Sequence, residues 1–145
     1  MVQFQQVRRA TSRAWIWAGL WGLLVLILTS IPGEVFAEVP TFGVTDLTVH
    51  TLMYLPFAAL VFRAIVLGEP RVGSARAVVY TAAICVGFAA LDELHQYPIP
   101  GRGAEIYDWL ADCVGIGLGI ALGILLTART RRRSQQLGEN EQQDG

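Results

Sequence analysis

Residues 14–31 read AWIWAGLWGLLVLILTSI, eighteen positions without a charge. A helix rises about 1.5 Å per residue, so this run spans about 27 Å, close to the roughly 30 Å hydrocarbon core of a bilayer. Lipid offers the backbone no hydrogen bonds, and an uninterrupted apolar run meets that demand as a helix. Trp15 and Trp17 lie at one end, where amphipathic rings anchor at the membrane interface. Pro32-Gly33 closes the run. Three further apolar stretches follow, at 47–67, 77–91 and 108–127. The third is a little short, because Asp92 interrupts it. Pro56 removes one backbone donor from the second, which packed neighbours tolerate. Pro98, Pro100, Gly101 and Gly103 rule out a continuous helix between the third and fourth. With hydrophobic residues at 53% of 145, the chain is too apolar for an ordinary soluble domain of this length. The expected fold class is all-α: an integral membrane four-helix up-down bundle with short external loops. Residues 14–127 form its domain, residues 1–13 a cytoplasmic N-terminal segment, and residues 128–145 a basic flank with a disordered polar tail.

The N-terminus also invites comparison with a secretory signal. An Arg-rich start and an apolar run lead to Val35-Phe36-Ala37 before Glu38. The run exceeds the usual h-region of about 7–15 residues, so a retained helix is expected. Orientation follows from the cations, all of which are Arg. Arg8, Arg9 and Arg13 precede the first span. Arg63, Arg71 and Arg76 surround the second connection, and Arg129, Arg131, Arg132 and Arg133 follow the fourth span; only Arg102, of eleven, falls on the other side. The positive-inside rule then puts both termini of a multi-pass membrane protein in the cytoplasm. Arg63, near a span end, can snorkel to the interface. The run at 131–133 directly follows a span, so it reads as a membrane flank rather than a nucleic-acid patch.

Chemistry concentrates in LDELHQYPIPGRGAEIYDWLADCVG, residues 91–115. Ionisable groups at a membrane boundary are costly and are functional candidates. Asp46 and His50 share a helix face at spacing four, as do Asp92 and Gln96, and Asp108 and Asp112; Glu93 and Gln96 share one at spacing three. Gly115, Gly119 and Gly123 continue the Asp108–Asp112 face. Small residues let a neighbouring helix approach, so these acids should point into the bundle. Asp46, His50, Asp92, Glu93, Gln96, Arg102, Asp108 and Asp112 are therefore the expected site residues, with Arg102 the obvious counter-charge. Among them His50, Glu93 and Asp92 are the catalytic candidates if the site does chemistry. Three readings of the group stand: a self-satisfied polar cluster that locks the loops onto the bundle, a ligand site, and a catalytic site.

Other chemistries find little support. Zinc accepts His and carboxylate ligands, and His50 and His95 are available, but neither HExxH nor HxH spacing occurs, so neither metal nor cofactor is expected. His95 reads as an interfacial or capping residue. Cys85 and Cys113 fall inside apolar runs without CxxC spacing and read as buried thiols. The GRG at 101–103 lacks the Lys-Ser/Thr of a phosphate loop, and no GxSxG elbow is present.

The series Ser30-Ile31-Pro32-Gly33, Asp46 with His50, Asp92-Glu93-Leu94-His95-Gln96, Pro100-Gly101-Arg102, then Asp108, Asp112 and Gly115 resembles the VanZ-like family. The resemblance covers roughly residues 14–127 and implies a small bacterial integral membrane protein. The founding member of that family is associated with low-level resistance to teicoplanin, a glycopeptide that acts outside the cell. Two positions depart from the family pattern: Leu47 stands where Lys is frequent, and Asp112 where Asn is common. Both changes make the cluster more acidic, which favours a cation or a shared proton. The expected function is binding or modulation of a cell-envelope component, an envelope lipid or a glycopeptide, through an outward-facing polar site, with the lipid bilayer as the surrounding partner and no nucleic acid. The alternatives are a membrane-embedded enzyme acting on a lipid-linked or phosphorylated envelope substrate, and a small channel or transporter subunit.

Overall fold

The computed structural model describes residues 2–37, 46–69 and 71–143. Every regular element among them is a helix: α1 (Val2–Thr29), α2 (Gly33–Ala37), α3 (Asp46–Gly68), α4 (Ser74–Gln96) and α5 (Ile106–Gln143). Four of these contain stretches long and apolar enough to cross a membrane: Arg8–Thr29, Asp46–Gly68, Ser74–Gln96 and Ile106–Thr130. At about 1.5 Å per residue, the 23 residues of α3 or α4 reach about 34 Å, enough for a bilayer core.

α3 is the central helix and packs against α5, α1 and α4. Its inward face carries Tyr54, Phe57, Ala58, Val61, Phe62, Ala64 and Ile65, all buried. Outward positions on the other helices stay apolar and exposed, including Trp17, Leu20, Val79, Val114 and Leu125, as lipid-facing positions should be. Lipid tails are as apolar as leucine, so helix association here depends on packing and interhelical hydrogen bonds rather than on expelling water. Both are present. A Cβ added at Gly115 or Gly119 would run into the backbone carbonyl of Thr51 or Leu55, so only glycine lets α5 lie this close to α3. Beside that contact, Thr51 Oγ1 donates to the Ala111 carbonyl at 3.1 Å, and Trp21 Nε1 on α1 donates to the Met53 carbonyl at 2.8 Å.

Several boundaries differ from the sequence reading. α1 begins at Val2, so residues 2–13 of the N-terminal polar segment are helical and continuous with the first span. α4 does not stop at Asp92 but runs to Gln96. Its two carboxylates find hydrogen-bond donors on neighbouring segments, which removes the reason for a break. α5 continues past the membrane-length stretch to Gln143, where an unstructured tail is the sequence expectation. Residues 134–143 are mainly Gln and Glu, which suit a helix, and contain no proline to break it, although Gly138 and Asn140 are weaker helix formers. Short helix α2 lies inside the first connection, and Glu38 falls outside the described residues.

Candidate functional site

The end of α1, the start of α3, the end of α4 and the start of α5 meet at one end of the bundle. Each brings polar side chains to that end. Asp92, in the last turns of α4, is fully buried. Thr29 Oγ1 donates to its Oδ1 at 2.7 Å from the end of α1, and Tyr54 OH donates to its Oδ2 at 3.2 Å from α3. Asp92 thus ties three helices together.

The second half of the site centres on His50. Its Nδ1 lies 3.0 Å from Asp112 Oδ1 on α5, and its Nε2 lies 3.8 Å from Asp108 Oδ2, one turn earlier on the same helix. Asp112 is fully buried, and its other oxygen, Oδ2, has no hydrogen-bond partner. Glu93 completes the group from α4. The Gln96 amide donates to Glu93 Oε1 at 3.3 Å, and the backbone N–H of Glu105 donates to Glu93 Oε2 at 3.0 Å. One donor atom each from His50, Glu93 and Asp112 lie within 4.8 Å of one another. The glycines of α5 explain why these residues converge. Gly115 sits three positions after Asp112 and rests on Thr51, the neighbour of His50, so the close helix contact brings Asp112 up to His50.

A rim of loop contacts closes this end. The Gly33 N–H donates to the Pro100 carbonyl at 3.1 Å, and Gly101 adopts a left-handed φ of 71° that favours glycine. Arg102 Nε donates to the Ile31 carbonyl at 3.3 Å, and Ser30 Oγ lies 2.9 Å from His95 Nε2. The segments Ser30–Gly33 and Pro100–Arg102, about seventy residues apart in sequence, therefore form one surface.

Of the eight sequence-expected site residues, the structure joins His50 to Asp108 and Asp112, and Glu93 to Gln96, while Asp92 stands beside them with partners of its own. Arg102 belongs to the rim through its bond to Ile31. Asp46 begins α3, one turn before His50, and is exposed. Among the described residues it makes no hydrogen bond or ion pair to the cluster. His95 is exposed and bonded to Ser30, in keeping with an interfacial role. Sequence reasoning missed Thr29 and Tyr54. Tyr54 follows His50 by four and could have been found on the Asp46–His50 face. Thr29 has no local signal, because its partner lies 63 residues away.

A family model described as VanZ/LLP1 matches residues 2–127. The chain belongs to this family. Neither a curated protein nor a solved structure matches it. The matched region covers all four membrane-length helices but for the last residues of the fourth, together with every residue of the polar cluster and its rim.

Proposed function

We propose that this VanZ-family protein resides in the bacterial cytoplasmic membrane, turns its polar cluster outward, and binds or modulates a cell-envelope component there without chemical turnover. The observation that carries this reading is the convergence of His50, Glu93 and Asp112 from three helices at the end of the bundle opposite ten arginines. The positive-inside rule supports placing the arginine end in the cytoplasm and therefore the cluster outside. Asp92 and Glu93 find donors within the bundle, but the buried Asp112 Oδ2 has none, which leaves an acceptor open to a ligand. The occupant in this reading is an envelope lipid or a glycopeptide. The family's founding member is associated with low-level teicoplanin resistance, which supports that class.

The test is retention of envelope molecules by the purified protein. Wild type, His50→Gln and Glu93→Gln are extracted with their native lipids, and the retained molecules are identified by mass spectrometry. Glutamine keeps hydrogen bonding but carries no charge and cannot exchange a proton. Wild type should retain a specific envelope component that both variants lose at equal protein abundance. Identical retained molecules in all three would overturn the reading.

A second reading, a membrane enzyme acting on a lipid-linked or phosphorylated envelope substrate, is favoured by the 3.0 Å His50–Asp112 contact. A carboxylate on one ring nitrogen fixes the imidazole as an acid–base group requires. A covalently altered envelope lipid, formed by wild type and not by His50→Gln, would decide for it.

A further inference from the structure

We infer that His50, Glu93 and Asp112 form a binding site for one divalent transition-metal ion, with zinc the best match to the donor set. The inference deepens the reading of this cluster as a binding site and rests on it for location only. No linear motif announces the site, because its three ligands come one each from α3, α4 and α5.

Geometry is the first support. One donor atom from each residue lies within 4.8 Å of the other two, and His50 Nδ1 stands 3.0 Å from Asp112 Oδ1. With metal–ligand bonds of about 2.0–2.1 Å, ligand atoms in a tetrahedral site are about 3.3 Å apart, so side-chain adjustment closes the triangle.

The unsatisfied Asp112 oxygen is the second support, and it is independent of the first. Asp112 is fully buried, yet its Oδ2 has no partner. Buried polar atoms are nearly always paired, and a charged one left alone is especially costly. A cation bound between the carboxylates supplies what this oxygen lacks.

Charge and chemistry agree. A neutral imidazole and two carboxylates sum to two negative charges, which one divalent ion balances. Imidazole with carboxylates suits zinc and its first-row neighbours, whereas calcium takes six to eight oxygens and magnesium keeps most of its water. The surrounding hydrogen bonds are those of a supported metal site. Gln96 and the Glu105 N–H hold the Glu93 carboxylate in place. Asp108, 3.8 Å from His50 Nε2, is placed to orient the ring from the side away from Nδ1.

The full-length protein, purified in detergent without a histidine tag, should carry close to one zinc per chain by elemental analysis. After stripping with a chelator it should rebind zinc in competition with a chromogenic chelator. His50→Gln and Asp112→Asn should weaken that binding by roughly 100-fold or more. Glu69→Gln, an exposed change just past the opposite end of α3, should leave it unaltered. If either site variant fails to fold, cobalt added to stripped wild type decides: visible bands of a four-coordinate site with nitrogen and oxygen ligands support the inference, and a spectrum of hydrated cobalt overturns it. Substoichiometric metal with no rebinding, or rebinding that ignores the site variants, also overturns it. An envelope component retained by wild type that binds no zinc would sink the metal site and keep the binding reading. Stoichiometric zinc without any retained component would do the reverse.

Discussion

At one end of the bundle lie Arg8, Arg9, Arg13, Arg63, Arg71, Arg76, Arg129, Arg132 and Arg133, all exposed. At the other lie His50, Asp92, Glu93, Gln96 and Asp112, all buried. Both ends are rich in polar groups, but water reaches only the first set. An arginine that keeps its head in solvent needs no partner, and its long stem covers apolar surface on the way. A carboxylate withdrawn from solvent must find donors, and Asp92 and Glu93 do so through Thr29, Tyr54, Gln96 and the Glu105 N–H. The two ends therefore differ in the sign of their charge and in its exposure: solvated cations at one, buried acids that depend on protein donors at the other.

The largest expected effect is all-or-none and concerns which end is which. A reporter fused after Gly145 should be active only in the cytoplasm, and one inserted at Gly103 only outside. The reverse pattern would break the contrast between a cytoplasmic arginine end and an external acidic end. A mature N-terminus at Glu38 would instead show that the first helix is a cleaved signal.

Next comes the contact that holds the buried end together. Gly115→Val places a branched side chain against the Thr51 backbone, which cannot yield as a flexible side chain would. α5 must move away, carrying Asp112 from His50. We expect little folded protein after extraction, judged by size-exclusion profile. Gly117→Ala, where an added Cβ meets nothing within 4 Å, should extract normally. A well-folded Gly115→Val protein would mean that the close α3–α5 contact is not needed.

The smallest effect compares single polar groups at the two ends. Asp92→Ala strands the Tyr54 hydroxyl, at a cost of about 1–3 kcal/mol, whereas Thr29 keeps the Val25 carbonyl as an acceptor. Arg76→Ala removes an exposed charge and should leave the melting temperature unchanged. Equal melting temperatures for the two variants in detergent would show that burial does not distinguish the ends.

The hydrophobic runs, the glycines at spacing four and the uneven arginines are local or cumulative features. Each can be read one segment at a time, so the helical class, the number of spans and the face of α5 turned inward were legible. So were His50, Glu93 and Asp112 as candidates, since an ionisable residue in an apolar run stands out wherever it goes. Element ends were less legible. Asp92 reads as an interruption when considered alone, because a lone carboxylate is costly in an apolar helix. It is tolerated only because Thr29 and Tyr54 arrive from two other helices.

The sequence by itself determined that this chain makes membrane-length helices and that most of its acids gather near one set of helix ends. That follows because apolar length and charge position are properties of each segment. Which acids are tied to which partners was decided only by tertiary structure. His50 meets Asp112 across 62 residues, and Ser30–Gly33 meets Pro100–Arg102 across about seventy. Such pairings depend on how closely α3 and α5 approach and on the rotation of each helix about its axis. Those quantities are fixed by packing between segments, and no single stretch of sequence contains them.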